Sequence, residues 1–379
     1  MIKVIHKKSD RQKGYFGRPD QVHKKFMDVC IIGGGVIGLA LAVDLAQRGA
    51  TVTILERGQC GRGASWAAAG MLAPEAEGLT GDLLSLGIRS RELYANWVSN
   101  LMKLTGMSCG YWCCGIIAPL DPAAVSQNPE LRQHPNYIDR TAIERKQPRL
   151  APQVTEALWL PEDGQVNNRD LGKMLYTAAR ILGVKICEGS AVHSLVKDSN
   201  NQQITHLETS AGKIVADRYI LATGAWSKDL LPLPIRPIKG QMAAVFDPQR
   251  TLQRVIFAPN IYIVPRQDGL VVLGATVEDV GFLPANTARG VNQLLGNAIA
   301  TYPAIAEMEL VETWWGFRPH APTEMPLLGP HPDYQNLILA TGHYRNGILL
   351  APVTANLLGE YISTGQVAPL LTKFLPRQS

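Results

Sequence analysis

Three glycines spaced Gly33-x-Gly35-x-x-Gly38 follow the apolar run Val29-Cys30-Ile31-Ile32, and Glu56 stands eighteen residues beyond the last of them. Gly33 permits a tight turn, Gly35 lets the backbone approach a pyrophosphate, and Gly38 allows a helix to pack closely on a strand. A helix opening at that turn presents unpaired N–H groups to an anion. Glu56 ends the next strand, where a carboxylate accepts hydrogen bonds from ribose hydroxyls; it would repel a 2′-phosphate, an argument that the neighbouring Arg57 softens. Strand, turn, helix, second strand and acid are in register, and together they read as a dinucleotide site. FAD and NAD share this pattern.

The next stretch, GRGASWAAAGM at residues 61–71, is rich in small side chains. These let a flat, extended group lie close to the backbone, or simply begin a tightly packed helix. Only one complete fingerprint is present, which argues against a flavin site paired with a separate NAD(P)H site. A small molecule that reduces a flavin directly fits better. The carboxyl end offers different chemistry in HYRNGILL, residues 343–350, a turn that runs into an apolar segment. An unpaired guanidinium beside a buried helix is costly, so Arg345 either reaches water or awaits a negative group.

Positioning these groups requires a particular order of elements. A short β-rich run, the glycine turn, an amphipathic stretch near residues 37–48 and a strand at Thr51–Leu55 make a βαβ unit that opens a parallel sheet. Two later strand-like runs, Tyr219-Ile220-Leu221-Ala222 and Leu337-Ile338-Leu339-Ala340, end in Thr223-Gly224 and Thr341-Gly342. Strands whose carboxyl ends enter Gly-containing turns belong where α/β sheets bind ligands, so all three segments are expected in one sheet. The Pro-rich PLPIRPI at residues 232–238 marks a boundary, after which QMAAVF, IYIVPR and LVVLGATV read as antiparallel strands. The helix-like RSRELYANWVSNLMKL lies within the stretch from about residue 85 to 160, which contributes to that second unit as well.

The fold expected is α/β, α+β overall: a Rossmann-like FAD-binding domain with a parallel sheet, and an inserted substrate domain with a mainly antiparallel sheet. Residues 27–105, 166–232 and 319–379 are assigned to the first, and 106–165 and 233–318 to the second.

Composition narrows the partners. The chain has 379 residues, 46% hydrophobic and 18% charged, with a formal net charge of +5. Residues 1–26 hold eight Lys/Arg against Asp10 and Asp20, about +6, so the rest is near −1 and presents no nucleic-acid face. That basic segment has no apolar periodicity and reads as a flexible extension rather than a targeting sequence. The apolar run at residues 29–43 is shorter than the roughly 20 residues a bilayer requires and is broken by glycines, so no membrane association is expected. Six cysteines without C-x-x-C or zinc spacing suit a reducing compartment, hence a cytoplasmic protein without a bound metal.

The stretches IIGGGVIG, ASWAAAGMLAP, ATGAWS, PIKGQM, YIVPR, GATVED, WWGFRP and TGHYRNGILLAP, in this order from residue 28 to about residue 371, resemble the D-amino-acid-oxidase-type flavoproteins. The pairing of AAAGMLAP with GHYRNGILLAP is most similar to the glycine-oxidase branch associated with thiamine biosynthesis. The resemblance implies FAD. Val36, Ile37, Glu56, Arg57, Ala64, Ser65, Ala69, Gly70 and Met71 would line its adenine, ribose and pyrophosphate end, with Val192 offering backbone contacts to the adenine. Thr223 and Gly224 would also contact the cofactor. His343, Tyr344, Arg345, Asn346, Gly347, Ile348 and Leu349 would lie against the flavin ring, their N–H groups stabilising negative charge on it.

The resemblance further implies that Arg318 fixes an amino-acid carboxylate, assisted by Tyr262 and Arg345, since a planar guanidinium suits bidentate recognition. Glycine, sarcosine and D-alanine would be oxidised by direct hydride transfer, with no catalytic side chain, and O2 would reoxidise the flavin to give peroxide. His320 and His343 are the conceivable bases, His343 reading better as packing. Val277 stands where some relatives carry a bulkier methionine near the substrate. The absence of a cysteine near residues 318–326 implies noncovalent FAD, and relatives imply a homo-oligomer, a tetramer. The rivals are a D-amino-acid dehydrogenase donating to quinone, a flavin-binding module without turnover, and an NAD dehydrogenase.

Overall fold

Asp28–Ile32 is fully apolar beyond its first residue, as a strand buried on both faces must be. The computed structural model describes residues 27–200 and 202–376; the basic extension at 1–26 lies outside the described residues. Asp28–Ile32 is a central strand of a six-stranded sheet ordered Leu327–Pro330, Leu337–Thr341, Arg218–Leu221, Asp28–Ile32, Thr51–Leu55 and Lys185–Cys187. Neighbours are parallel except at the Leu327–Pro330 edge. The three runs ending in glycine turns thus share one sheet.

The helix after the glycine turn spans Val36–Gln47, but it lacks the expected polar face. Nine of its twelve residues are buried, because it is covered by the sheet on one side and by the helices Asn168–Ile181 and Gly347–Thr364 on the other. The expected RSRELYANWVSNLMKL helix spans Gly81–Thr105. Its Leu83, Leu86, Tyr94, Val98 and Leu101 enter the same core cluster as the opening helix, so its packing is with the first sheet rather than the second. A small antiparallel sheet at Val192–Lys197, Ile204–Thr209 and Gly212–Ile214, not anticipated, covers part of the opposite face of the first sheet through Leu195, Ile204 and Leu207.

The second sheet has eight strands. Glu309–His320 forms its edge, followed by Arg236–Phe246, Leu270–Gly274, Ile261–Pro265, Val255–Ala258, Ile116–Pro119, Glu156–Leu160 and Tyr137–Asp139. The three predicted strands are present and antiparallel, while Val255–Ala258 pairs in parallel with Ile116–Pro119. Alternation sorts one strand between two cores: Ala243 and Val245 face the helix Ala288–Thr301, and Met242 and Ala244 face Ala67, Ala69 and Trp314. Glu309–His320 continues through Pro319 and His320, past the expected boundary at 318/319. Among the described residues no helix is long and apolar enough to cross a membrane.

The Gly347–Thr364 helix carries Pro352 in its interior. Proline has no N–H for the carbonyl four residues earlier, that of Ile348. Tyr94 Oη donates to this oxygen at 2.5 Å. Ser90 Oγ donates to Leu349 O at 2.6 Å and accepts from Val353 N at 3.4 Å, so one hydroxyl bridges the adjoining rung. Two buried side chains of the Gly81–Thr105 helix therefore satisfy the turn that a proline disturbs. Tyr94→Phe and Ser90→Ala should each cost about 1–3 kcal/mol by orphaning buried polar groups, read as a lower urea midpoint with unchanged m-value; unchanged midpoints would contradict these roles.

Candidate active site

Between the carboxyl ends of the parallel strands and the inner face of the second sheet lies a cavity of 820 Å³, within the range of about 300–1,000 Å³ for ligand sites. Every residue expected to hold the cofactor or the substrate carboxylate lines it except Gly38 and Leu349. A Cβ on Gly38 would collide with the Gly33 carbonyl, so Gly38 serves helix packing, as expected. Leu349 is buried in the core, and its carbonyl meets Ser90.

At one end, Gly33 adopts φ +108°, and a Cβ there would meet the Ala222 carbonyl. The helix behind it is capped by no side chain of Gly35, and Val36 N donates to Ser65 Oγ at 2.9 Å. Glu56 already accepts from Gly34 N at 2.8 Å and Gly58 N at 2.9 Å; a carboxylate has lone pairs for further donors. Ser190 N donates to Glu56 O, which brings the segment leading into Val192 alongside. The Arg57 guanidinium stacks 3.8 Å from the Trp226 ring centroid. Gly61, Gly63 and Gly224 line the same wall, and a Cβ on any of them would meet no other residue within 4 Å.

The small-residue stretch is held from behind by a side chain that the sequence did not single out. Arg266 is buried and donates to Ala69 O at 2.7 Å, Val166 O at 2.9 Å and Asn168 Oδ1 at 3.1 Å. Burial lowers its pKa to about 10, which leaves it charged at neutral pH. Its signal was the arginine closing YIVPR.

The other end carries the charged groups. Arg318 projects from the edge strand and donates to Thr276 O at 3.2 Å and Lys239 O at 3.4 Å. A Cβ on Gly240 would strike this guanidinium, and one on Gly274 would strike the Tyr262 ring, so two glycines make room for two expected site residues. Tyr262 Oη lies 3.3 Å from Met242 Sδ. Burial raises its phenol pKa, and Arg318 beside it pulls the other way.

Arg345 was expected either to reach water or to await a negative group, with no partner foreseen within the chain. It has one: Nε lies 3.3 Å from Glu77 Oε2, whose side chain is only 9% exposed. Burial raises the Glu77 carboxyl above its ordinary range, opposed by Arg345 and Arg318. The sequence reading missed Glu77, because an acid in the turn-like PEAEG reads as solvent-facing. His343 lines the cavity but is bonded to Thr354 Oγ1 at 3.1 Å, and burial pushes its pKa down to about 3. It is a neutral packing residue. His320 stands edge-on to Tyr344 at 4.7 Å and does not line the cavity. Val277, expected near the substrate, is 65% exposed and lies outside the lining; the neighbouring Thr276 meets Arg318 through its carbonyl instead. Among the described residues no three His, Cys, Asp or Glu cluster as a metal site.

Residues 28–361 match the family model described as DAO, FAD dependent oxidoreductase. Over 357 residues, 92% of the chain, it is 47% identical to the bifunctional protein ThiO/ThiG of Trichormus variabilis, of which it spans 54%. The chain thus spans about half the length of such bifunctional relatives. It is 35% identical to the glycine oxidase of Geobacillus kaustophilus, covering 92% of this chain and 96% of that one. The crystal structure of glycine oxidase from that organism superposes with a TM-score of 0.86, covering 93% and 99% of the two chains. A nucleotide turn at one end of the cavity, two arginines at the other, and a match spanning both sheets lead to one assignment: the chain belongs to the DAO family of FAD dependent oxidoreductases.

Proposed function

We propose that this chain oxidises glycine, and with it sarcosine or small D-amino acids, to the imine or 2-oxo acid with release of ammonia and hydrogen peroxide. The imine would supply the thiazole part of thiamine, in keeping with the names ThiO/ThiG and glycine oxidase carried by its relatives. The observation that carries the proposal is the meeting of Arg318, Arg345 and Tyr262 at one end of a cavity whose other end is a dinucleotide turn.

The residues present fit FAD. The turn at Gly33–Gly35 and the amino terminus of the helix behind it suit the pyrophosphate, Glu56 and Val192 the adenosine, and residues 343–348 the ring system. Gly61, Gly63 and Gly224 leave open the space that a flat group would fill. When bound, FAD supplies a hydride acceptor. The chain itself does the positioning. Arg318 and Arg345 bind the substrate carboxylate, with charge-assisted bonds of roughly 1.5–3 kcal/mol each, and Tyr262 Oη adds a hydroxyl. His343, neutral and tied to Thr354, fixes the turn that presents Arg345.

Noncovalent cofactor binding belongs to the same proposal, supported by the lack of any cysteine among the described lining residues. So do a cytoplasmic location, a homo-oligomer, and the assignment of residues 27–105, 166–232 and 319–379 to the cofactor and 106–165 and 233–318 to the substrate.

Arg318→Ala should raise the glycine KM by one to three orders of magnitude while the purified protein keeps its flavin absorbance; wild-type kinetics would show that the carboxylate is bound elsewhere. With oxygen as sole acceptor, a peroxide assay should respond to glycine and sarcosine. Turnover only with an artificial dye would favour a quinone-linked dehydrogenase, and no flavin bleaching under anaerobic glycine would leave a binding module. Acid precipitation should release the yellow chromophore into the supernatant, whereas colour retained in the pellet would mean a covalent flavin.

A further inference from the structure

Glu77 lines the substrate end of the cavity with Arg318, Arg345 and Tyr262. Its Oε2 is buried and has no hydrogen-bond partner, although Arg345 Nε approaches to 3.3 Å. A buried carboxylate oxygen without a hydrogen bond is costly, and for a carboxylate whose residue lines a ligand cavity a donor on the ligand is the simplest partner. Two guanidiniums account for two anions, Glu77 and a substrate carboxylate. An amino acid also brings an ammonium; besides Glu77 the lining offers only two carboxylates, Glu56 at the nucleotide turn and Asp229 at the end of the Gly224–Asp229 turn, next to the Trp226 that Arg57 covers.

Resting on the oxidase function proposed above, we infer that Glu77 is a catalytic residue that receives the substrate ammonium and takes one proton from it. An N–H bond breaks, an O–H bond forms on the Glu77 carboxylate, and the electron pair of the broken bond stays on nitrogen as its lone pair. The redox step needs that lone pair, because hydride can leave the α-carbon only as nitrogen closes the C=N bond. The surroundings favour the transfer. A carboxylate and an ammonium in a desolvated cavity become a neutral acid and a neutral amine, forms that burial prefers. Burial raises the Glu77 carboxyl pKa, while Arg345 and Arg318 keep it ionisable; the exposed Glu324 adds a smaller push upward, and Tyr262 is the remaining titratable neighbour. Hydride transfer still needs no base at the α-carbon, so the direct route expected from the family is kept, with its proton accounted for.

The test is anaerobic rapid mixing of the holoenzyme with glycine between pH 6 and 10, following flavin reduction. In Glu77→Gln, which keeps shape and removes basicity, reduction near neutral pH should fall roughly 10²-fold and recover toward wild type at high pH, where solvent supplies the neutral amine. Glycolate, a carboxylate without an amine, should perturb the flavin spectrum of variant and wild type with the same Kd. Glu77→Asp should restore part of the neutral-pH rate and guards against a Gln variant that does not fold. A loss equal at every pH, or a weakened glycolate Kd, would reduce Glu77 to a structural partner of Arg345 and overturn the inference. Wild-type flavin unreduced by glycine would instead overturn the oxidase proposal itself.

Discussion

Holding Arg318 and Arg345 at the end of a largely apolar cavity costs desolvation energy that only well-placed acceptors can offset. Much of the architecture around them is arranged to do so. Arg318 leans on two backbone carbonyls, those of Lys239 and Thr276, and both are fixed by the surroundings of Glu278. Its carboxylate lies 3.2 Å from the buried Lys239 ammonium, accepts from Gln241 Nε2 at 2.7 Å and accepts from the Thr276 hydroxyl. Burial works against that charge, but these three donors hold the Glu278 pKa below its ordinary range. Arg345 has a carboxylate of its own in Glu77. The site is therefore poised, with its cations oriented before any ligand enters, which is how preorganised electrostatics lowers a barrier.

The two ends of the cavity are assembled from distant parts of the chain. The nucleotide turn comes from the first strand–helix–strand unit, and Arg318 comes from an edge strand whose partner, Arg236–Phe246, lies about eighty residues earlier. What lets these surfaces approach is the absence of side chains. Gly316 faces Ala67 so closely that a Cβ would overlap it, and Gly240 and Gly274 clear the volume that Arg318 and Tyr262 occupy.

The legible parts of the sequence were those where backbone geometry dictates residue type. Gly33 and Gly38 are readable because no other residue fits, and the three strand-plus-glycine runs because a buried parallel strand must be apolar. The helix Val36–Gln47 misled because burial on all sides removes the polar stripe that periodicity seeks. Val255–Ala258 is too short to stand out, and Glu309–His320 mixes acids, a glycine and a proline, as an exposed edge strand does. Arg318 and Tyr262 came from family resemblance rather than from any pattern of their own, whereas Arg345 stood out as a charge before a buried helix and took only its role from the resemblance. Glu77 was invisible because its meaning depends on burial, and an acid in a turn carries no mark of it. Val277 erred the other way: the carbonyl of the preceding Thr276 meets Arg318, but the Val277 side chain is exposed.

The hydroxyls of Ser90 and Tyr94, lodged in the proline-interrupted turn of the last helix, have a consequence beyond stability. That turn continues directly from residues 343–347, which line the cavity. It cannot fray alone, since releasing Ile348 and Leu349 also leaves two donor hydroxyls in the middle of the Gly81–Thr105 helix without their acceptors. The amides of both segments should then exchange with solvent as one cooperative unit. Order in the cavity wall is thereby borrowed from a helix some 250 residues away in the chain.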